Sequence, residues 1–220
     1  MNRFKDLNEY TRIKIGDLAE VITGGTPSTR KNEYWDNGTI PWLPSGECQD
    51  KEINSASKFI TEEGMKNSVA KLMPKSTVVI ALTGATTGKT GILNIEATAN
   101  QSVTGIVPNN KFIPKYIFYY LRSIREKILN DSYGGAQKHI SQGYVKDIEV
   151  LLPSLEIQKK IVNILEKAEN INTNIILSRR IKEIASNKEN IEIYQNVNKI
   201  IKNSKENKSI YRDFLKTVIK

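Results

Sequence analysis

The stretch that decides how this chain is organised lies at residues 151–162 and reads LLPSLEIQKKIV. Pro153 cannot continue the strand-like residues before it, and Ser154 is a residue type that caps a helix N-terminus. Apolar residues then recur in alternating steps of four and three, at Ile157, Ile161, Ile164, Ala168, Ile171 and Ile175. This heptad seam keeps one apolar stripe facing a partner helix. The stretch therefore predicts a head at 1–153 and a helical spacer and dimerisation region at 154–220, which ends in a divergent tail.

The head reads as an irregular α+β domain. Strand-like segments bounded by Gly, Pro and Asn lie at 12–15, 19–23, 77–82, 91–95, 103–107 and 145–152. Apolar residues at helical spacing follow Pro114 as far as Ile128, and a shorter helix is predicted to begin at Thr61. Strands and helices do not alternate regularly, which disfavours a doubly wound sheet. The predicted fold class is a mixed α/β head followed by a long, coiled-coil-like helical region.

Composition limits the function classes. The chain has 220 residues, 39% of them hydrophobic, and a formal net charge of +9 with a pI near 9.4. Such an excess of cations suits an anionic partner such as nucleic acid, although an ordinary basic surface would explain it too. Cys48 is the single cysteine and His139 the single histidine, so neither a disulfide nor a metal site is expected. No apolar run resembles a leader or a membrane span, and we expect a cytoplasmic protein.

Three enzyme interpretations fit the sequence poorly. Residues 83–90, TGATTGKT, resemble a phosphate-binding P-loop, but Gly84 and Gly88 enclose three residues where that motif needs four. A strand-like segment follows them, so no helix N-terminus would face the phosphate. A methyltransferase would need a doubly wound sheet with a glycine-rich cofactor loop, and neither is visible. His139 has no nucleophile pattern beside it, so a hydrolase is not indicated.

Several motifs, taken in order, identify a family. They are VITGGTPS at 21–28, YW at 34–35, IPWL at 40–43, TGATTGKTGI at 83–92, NQS at 100–102, GGAQKHIS at 134–141 and the 151–162 stretch. Over about residues 12–185 this set resembles the target recognition domain, and the conserved helix after it, of the specificity (S) subunit of type I DNA restriction-modification enzymes. The chain looks like a half-length form with a single target recognition domain, either a natural half-subunit or a fragment.

The resemblance implies a subunit without catalysis of its own. Such a subunit reads double-stranded DNA at a bipartite target and docks modification (M) subunits, which transfer a methyl group from S-adenosylmethionine to adenine. Restriction (R) subunits, when present, add ATP- and Mg-dependent translocation and cleavage. We therefore expect no cofactor on this chain. The apolar stripe needs a partner surface, either the tail of the same chain at 191–201 or 210–218 or the same helix of a second copy, and the resemblance favours a homodimer that rebuilds the two-domain subunit. The competing interpretation is a non-catalytic coiled-coil interaction adaptor with a basic head.

Base and phosphate contacts require cations, amides and hydroxyls on exposed loops. The candidate loops are 24–32, 83–90 and 133–142. Their candidate DNA-binding residues are Thr26, Ser28, Arg30, Lys31, Thr86, Thr87, Lys89, Gln137, Lys138, His139 and Gln142. The less distinctive segments 54–58 and 109–115 are alternative places for base readers. Trp35 and Trp42 are expected in the core.

Overall fold

The computed structural model describes residues 10–134 and 138–170, with side chains described as far as residue 166. In chain order its strands and helices are β1 (Thr11–Lys14), α1 (Ile15–Leu18), β2 (Val21–Thr23), β3 (Ile40–Leu43), β4 (Lys51–Ile53), β5 (Lys58–Ile60), α2 (Glu62–Lys66), β6 (Val78–Ala81), β7 (Thr90–Leu93), β8 (Thr98–Ala99), β9 (Val103–Ile106), α3 (Pro114–Ser123), α4 (Arg125–Asp131), α5 (Gln142–Asp147), β10 (Glu149–Leu152) and α6 (Leu155–Asn170).

The largest sheet has five strands in the order β2-β9-β6-β7-β4. β6 lies at its centre, and all four of its residues, VVIA, are buried, as expected for a strand covered on both faces. A second sheet has the order β5-β3-β8, and β1 with β10 forms a two-stranded sheet. The mixed α/β head confirms that part of the predicted fold class. The strands predicted near 12–15, 19–23, 77–82, 91–95 and 103–107 are present, each within a few residues of its expected ends.

The helix predicted to run from Pro114 to Ile128 is two helices, and the prediction of one is wrong. Pro114 does begin α3, but the helix ends at Ser123, and α4 starts at Arg125. The Ser123 hydroxyl donates to the Tyr120 carbonyl at 2.6 Å, a local bond that competes with the helical ladder. The apolar stripe survives the break, because Ile117, Leu121 and Ile128 are all fully buried.

The strand predicted at 145–152 is also wrong in its first half, where α5 occupies Gln142–Asp147. Ser141 caps this helix, its hydroxyl accepting from the Tyr144 N–H at 3.0 Å. Val145 is fully buried. An apolar residue here would be buried in a strand or in a helix, so its apolar character could not distinguish the two. Only Glu149–Leu152 is extended. The helix predicted to begin at Thr61 is confirmed as α2. The Thr61 hydroxyl accepts from the Gly64 N–H at 3.0 Å and caps this helix.

Ile40–Leu43 is the strand β3, although its second residue is a proline. Proline is tolerated because β8 pairs only with Trp42 and Leu43, so no ladder bond to β8 is lost at Pro41. Trp42 is 6% exposed and belongs to the core, as predicted. Trp35 is half-buried and meets it edge to face at 5.1 Å between ring centroids.

Contacts divide the chain into two compact units. One is Ile13–Val150; the other joins Met1–Arg12 to Leu151–Lys220, and of it residues 10–12 and 151–170 are described. In this second unit α6 begins directly after Ser154, whose carbonyl accepts from the Gln158 N–H at 2.9 Å. The Gln158 side chain donates to the Pro153 carbonyl at 2.8 Å, which fixes the first turn.

The buried face of α6 differs from the predicted heptad stripe. Ile157 and Ile161 are buried, but Leu165 is the most buried apolar residue of the next turn, and Ile164 is only half-buried. A face through 157, 161 and 165 follows a straight helix of 3.6 residues per turn better than a 3.5-residue seam. The side chain of Ala168, and Ile171 and Ile175 entirely, lie outside the described residues, as does the tail. The dimerisation role of the stripe stays a prediction.

Candidate nucleic-acid interface

One end of the five-stranded sheet collects the candidate loops. Thr23, the last residue of β2, pairs with Thr104 near the start of β9, and Ala81 at the end of β6 pairs with Val103. β7 begins beside them at Thr90, opposite Ile80, and the parallel strand β4 begins at Lys51. The segments 24–32, 44–50, 82–89 and 100–102 therefore all adjoin this end, which we call the loop end.

The first candidate loop is locked to the sheet by its glycines. A Cβ on Gly24 would lie 2.2 Å from the Asn100 carbonyl oxygen, and one on Gly25 would lie 2.5 Å from the Ala70 nitrogen. Neither position has room for a side chain, so the loop backbone packs directly on its neighbours. The Gly25 carbonyl also accepts from the Trp42 indole at 2.9 Å. Beyond these glycines, Thr26 donates its hydroxyl to the Gln101 side-chain carbonyl.

The residues that follow are available to a ligand. Ser28, Arg30 and Lys31 are exposed. The Ser28 carbonyl accepts from the Trp35 indole at 3.1 Å, which anchors the backbone while the side chains remain outside. Lys31 donates to the Tyr34 hydroxyl at 2.9 Å and lies over the same ring, and this hydrogen bond raises the lysine pKa. Lys31 is thus held as a cation at the base of the loop.

The second candidate loop is a tight turn between two strands. Gly84 and Gly88 have φ values of +77° and +73°, which L side chains rarely adopt. A single 3-10 turn spans Gly84–Thr86, and β7 follows at Thr90. A strand in this position agrees with the sequence argument against a nucleotide-binding P-loop. Thr86 is half-buried, and Thr87 is only 1% exposed.

The third candidate loop joins the second. The Thr87 hydroxyl lies 2.8 Å from both the Gly84 and Lys138 carbonyls, and the Ile140 N–H donates to the Leu82 carbonyl at 2.9 Å. His139 bridges to Thr83 and also to Tyr133, whose ring stacks on its imidazole at 5.8 Å. Lys138 is exposed, and Gln137 lies outside the described residues. The structure thus brings the loops at 83–90 and 133–142 together at the loop end.

Two of the candidate side chains bond main-chain carbonyls that are distant in sequence. The Thr87 hydroxyl takes part in the contact, described above, between the loops at 83–90 and 133–142. Gln142 is the first residue of α5, and its amide donates to the Val21 carbonyl at 2.9 Å. Both side chains therefore position the loops, whatever else they contact. By contrast, Lys89 reaches outward and donates to the exposed Gln49 at 2.6 Å.

Sequence reasoning did not select Gln49, Gln101 or Tyr133. Gln49 and Gln101 hold Lys89 and Thr26 respectively, and Tyr133 is 64% exposed. Tyr133 precedes Gly134 and Gly135, but only the strand register shows that the segments carrying Gln49 and Gln101 share one end of the sheet. Of the alternative segments, 109–115 leaves from the opposite end: Asn109 donates to the Leu18 carbonyl at 2.8 Å, and Lys115 pairs with Glu52 at 2.9 Å.

The segment 54–58 begins at that opposite end as well. Asn54 follows the last residue of β4 and accepts from the Asn94 amide at 2.7 Å. The segment then returns toward the loop end, where the Ser57 N–H donates to Glu47 at 2.9 Å.

The head contains a buried thiol. Cys48 is 1% exposed within the core cluster, and burial raises its pKa to about 12. It is a core residue. Among residues 10–134 and 138–170, no group of three or more His, Cys, Asp or Glu could hold a metal ion. No helix within those ranges has both the length and the apolar character needed to cross a membrane.

A sheet that gathers cationic and amide-bearing loops at one end is the architecture of a recognition domain, and comparison with known proteins specifies the class. Residues 8–186 match the family model described as Type I restriction modification DNA specificity domain. The chain therefore belongs to that family.

Curated relatives agree. The chain is 28% identical over 188 residues to the Escherichia coli type I restriction enzyme EcoR124I/EcoR124II specificity subunit, covering 83% of this chain and 46% of that protein. It is 30% identical over 163 residues to the Methanocaldococcus jannaschii MjaIX specificity subunit, covering 72% of this chain and 37% of that one. The chain thus spans less than half the length of these relatives.

Solved structures share the fold. The S subunit of a type I restriction-modification system from M. genitalium aligns with a TM-score of 0.56 at 18% identity, over 98% of this chain and 50% of that one. A chain from a structural study of type I R-M complex assembly and conformational transition gives 0.60 at 16% identity, over 92% and 47%.

Proposed function

We propose that this chain reads a DNA sequence for a type I restriction-modification system and has no catalysis of its own. Its loop end would face the duplex, with Arg30, Lys31, Lys89 and Lys138 as its cations. The observation that carries the proposal is the register of the five-stranded sheet, which gathers separate motifs of the family at one end. Hydroxyl and amide side chains beside the cations suit contacts to phosphates and base edges.

The proposal places the chemistry on partner subunits. Modification subunits would bind S-adenosylmethionine and methylate adenine, and restriction subunits, where present, would use ATP and Mg. This chain would bind none of these cofactors and would work in the cytoplasm, where such subunits meet DNA. The curated relatives are named as specificity subunits of type I restriction enzymes, which supports this division of labour.

We also infer that two copies pair to form a bipartite reader. The chain covers 46% of one curated relative and carries one five-stranded sheet in its described residues. A closed pair of identical chains has a two-fold axis, so its two heads would read a symmetric target split by a spacer. In this proposal the helical region from 154 onward sets the spacer, as the family resemblance implies.

An adaptor with a basic head is the competing function. Such a protein would hold a macromolecular partner through α6 and would bind DNA only non-specifically. Membership of the specificity-domain family favours recognition, as does the gathering of Thr26–Gln101 and Lys89–Gln49 pairs at the loop end. Amide side chains in such positions can form hydrogen bonds with base edges, whereas a surface of cations alone attracts DNA of any sequence.

Binding of the assembled complex to double-stranded DNA tests the proposal. Lys89→Ala and Lys138→Ala should each weaken binding to specific and non-specific duplexes alike, and should lower the slope of log K against log salt by about 1. The matched control is Lys75→Ala, because Lys75 is exposed just before β6, at the opposite end of the sheet. If all three variants bind like the unchanged complex, or if Lys75→Ala has the largest effect, the loop end is not the DNA surface.

A further inference from the structure

One arginine that sequence reasoning passed over lies against the second loop. Arg125 is the first residue of α4, and the half-buried side chain packs on Gly88. A Cβ built on Gly88 would lie 3.4 Å from Arg125 Cγ and 3.2 Å from Ile128 Cγ2. The aliphatic stem of the arginine therefore rests on the backbone between Thr87 and Lys89, at the loop end of the sheet.

The Nε donor of the Arg125 guanidinium is unsatisfied. Its Nε atom is buried and has no hydrogen-bond partner, and among the described residues no carboxylate pairs with this side chain. The neighbouring cations, in contrast, have partners within the chain. Lys127 pairs with Asp131 at 2.6 Å, and the guanidinium carbon of Arg122 lies 5.0 Å from the centroid of the Phe118 ring. A buried donor without a partner destabilises a folded protein. Arg125 thus has room for a group that the described residues, 10–134 and 138–170, do not supply.

The surroundings indicate the chemistry of that group. The Thr87 hydroxyl donates to the Lys138 carbonyl and so joins the loop at 83–90 to the segment that carries Lys138. Lys138 itself is exposed, and Arg125 packs on the same loop. Lys89 follows Gly88 directly, and among the described residues its side chain pairs with the amide of Gln49 and with no acid. Three cations on contiguous segments attract an anion, and the planar fork of arginine matches an oxyanion in a bidentate fashion.

We propose that Arg125 binds one backbone phosphate of the DNA duplex and fixes the register of the second loop on it. This inference rests on the proposed function and names a positioning residue within it. A phosphate is favoured over a base edge because the stem packs on the backbone at Gly88, whereas a base reader must project into the groove. Because Nε is buried in the free chain, the contact requires rotation of the bonds beyond Cγ, which would leave Cγ packed on Gly88.

The test compares Arg125→Met with Lys127→Met in the full chain assembled with its modification subunit. Methionine keeps an unbranched stem over Gly88 and removes the unsatisfied donor. The probe is a duplex carrying the motif that the unchanged enzyme methylates, titrated over a salt series. Arg125→Met should weaken binding about tenfold and lower the salt slope by about 1, with the methylated motif unchanged. Lys127→Met, on the same helix but paired with Asp131, should leave both values unchanged.

Two further readouts separate a DNA contact from a structural role. The thermal midpoint of free Arg125→Met should equal or exceed that of the unchanged chain, because a buried unsatisfied donor is gone. Replacing single phosphates by neutral methylphosphonates should reveal one position that weakens the unchanged enzyme but not Arg125→Met. If Arg125→Met does not fold, Arg125→Lys replaces it, and we expect it to bind several-fold more weakly because it lacks the fork.

Several results would overturn the inference. Unchanged affinity and slope in Arg125→Met would do so, as would an altered methylation motif with an unchanged slope, which would make Arg125 a base reader. An Arg125→Lys variant that binds as tightly as the unchanged enzyme would exclude a bidentate contact. Absence of any specific duplex binding by the unchanged assembly would instead reject the proposed function itself, so the two failures are distinguishable.

Discussion

At the scale of single residues, the loop end is held by side chains that bond distant main-chain carbonyls, as Thr87 does with Lys138 and Gln142 does with Val21. Lys89 and Lys138 could be selected because they lie in glycine-rich segments, and the structure places those segments side by side. The structural roles of Thr87 and Gln142 were not predictable, because each bonds a carbonyl distant in sequence. Arg125 was not predictable for the same reason, since the glycine on which it packs, Gly88, is distant in sequence.

A prediction at this scale concerns Cys48. The pKa of its thiol is raised from 9.0 to about 12 by burial, so the unfolded chain ionises first as pH rises. A raised thiol pKa contributes stability that is fully present below pH 9 and is lost between pH 9 and about 12. Across that window the contribution falls by about 1.4 kcal/mol per pH unit.

Cys48→Ala removes this titration. Chemical denaturation of both proteins at several pH values should show the unchanged chain losing its advantage over Cys48→Ala as pH rises from 8.5 to 10.5, by roughly 2 kcal/mol. A difference in unfolding free energy that is constant over this range would show that the thiol is accessible to water.

At the scale of elements, periodicity predicted what a segment buries better than where it ends. Ile117, Leu121 and Ile128 are buried as their spacing indicated, although two helices carry them in place of one. The strand at 145–152 failed because the Ser141 cap outweighed the β propensity of Val145. Short strands such as β4, β5 and β8 escaped prediction, because two or three residues are too few for alternation to be visible.

The two glycines of the second loop give a prediction for this scale. Both have positive φ, but a Cβ on Gly84 meets open space, whereas one on Gly88 meets Ile128 and Arg125 of α4. Gly84→Ala should cost roughly 1–2 kcal/mol of stability, which is the cost of the left-handed conformation alone. Gly88→Ala should cost about 1 kcal/mol more, because α4 must also give way. Urea unfolding of the two variants measures the difference; equal costs would contradict the packing of α4 on the loop.

At the scale of the whole molecule, one recognition head is followed by the helical region from 154 onward, through which we propose that two chains pair. Family motifs spread from 21 to 162 predicted the class because they occur in a fixed order, and the matched family model spans residues 8–186. Base readers could not be predicted in the same way. They have to differ between targets, and the structure shows only which segments share the loop end.

Pairing of the chain is the prediction that belongs here. Light scattering on the purified chain should give twice the mass of one copy, which is 24.9 kDa, at micromolar concentration. The physical reason is the apolar stripe predicted along the helical region from 154 onward, which stabilises the chain only where it is covered. A single-copy mass at every concentration, in the presence of the modification subunit as well, would contradict pairing.

The most direct test of sequence recognition by this chain is adenine methylation mapped across the genome of a host that lacks its own adenine methylation. Three strains are compared, one with the modification subunit alone, one with this chain alone and one with both. The account predicts methylation of a single bipartite motif in the third strain and in neither of the others. Methylation of the same motif by the modification subunit alone, or no methylation when both are present, would contradict it.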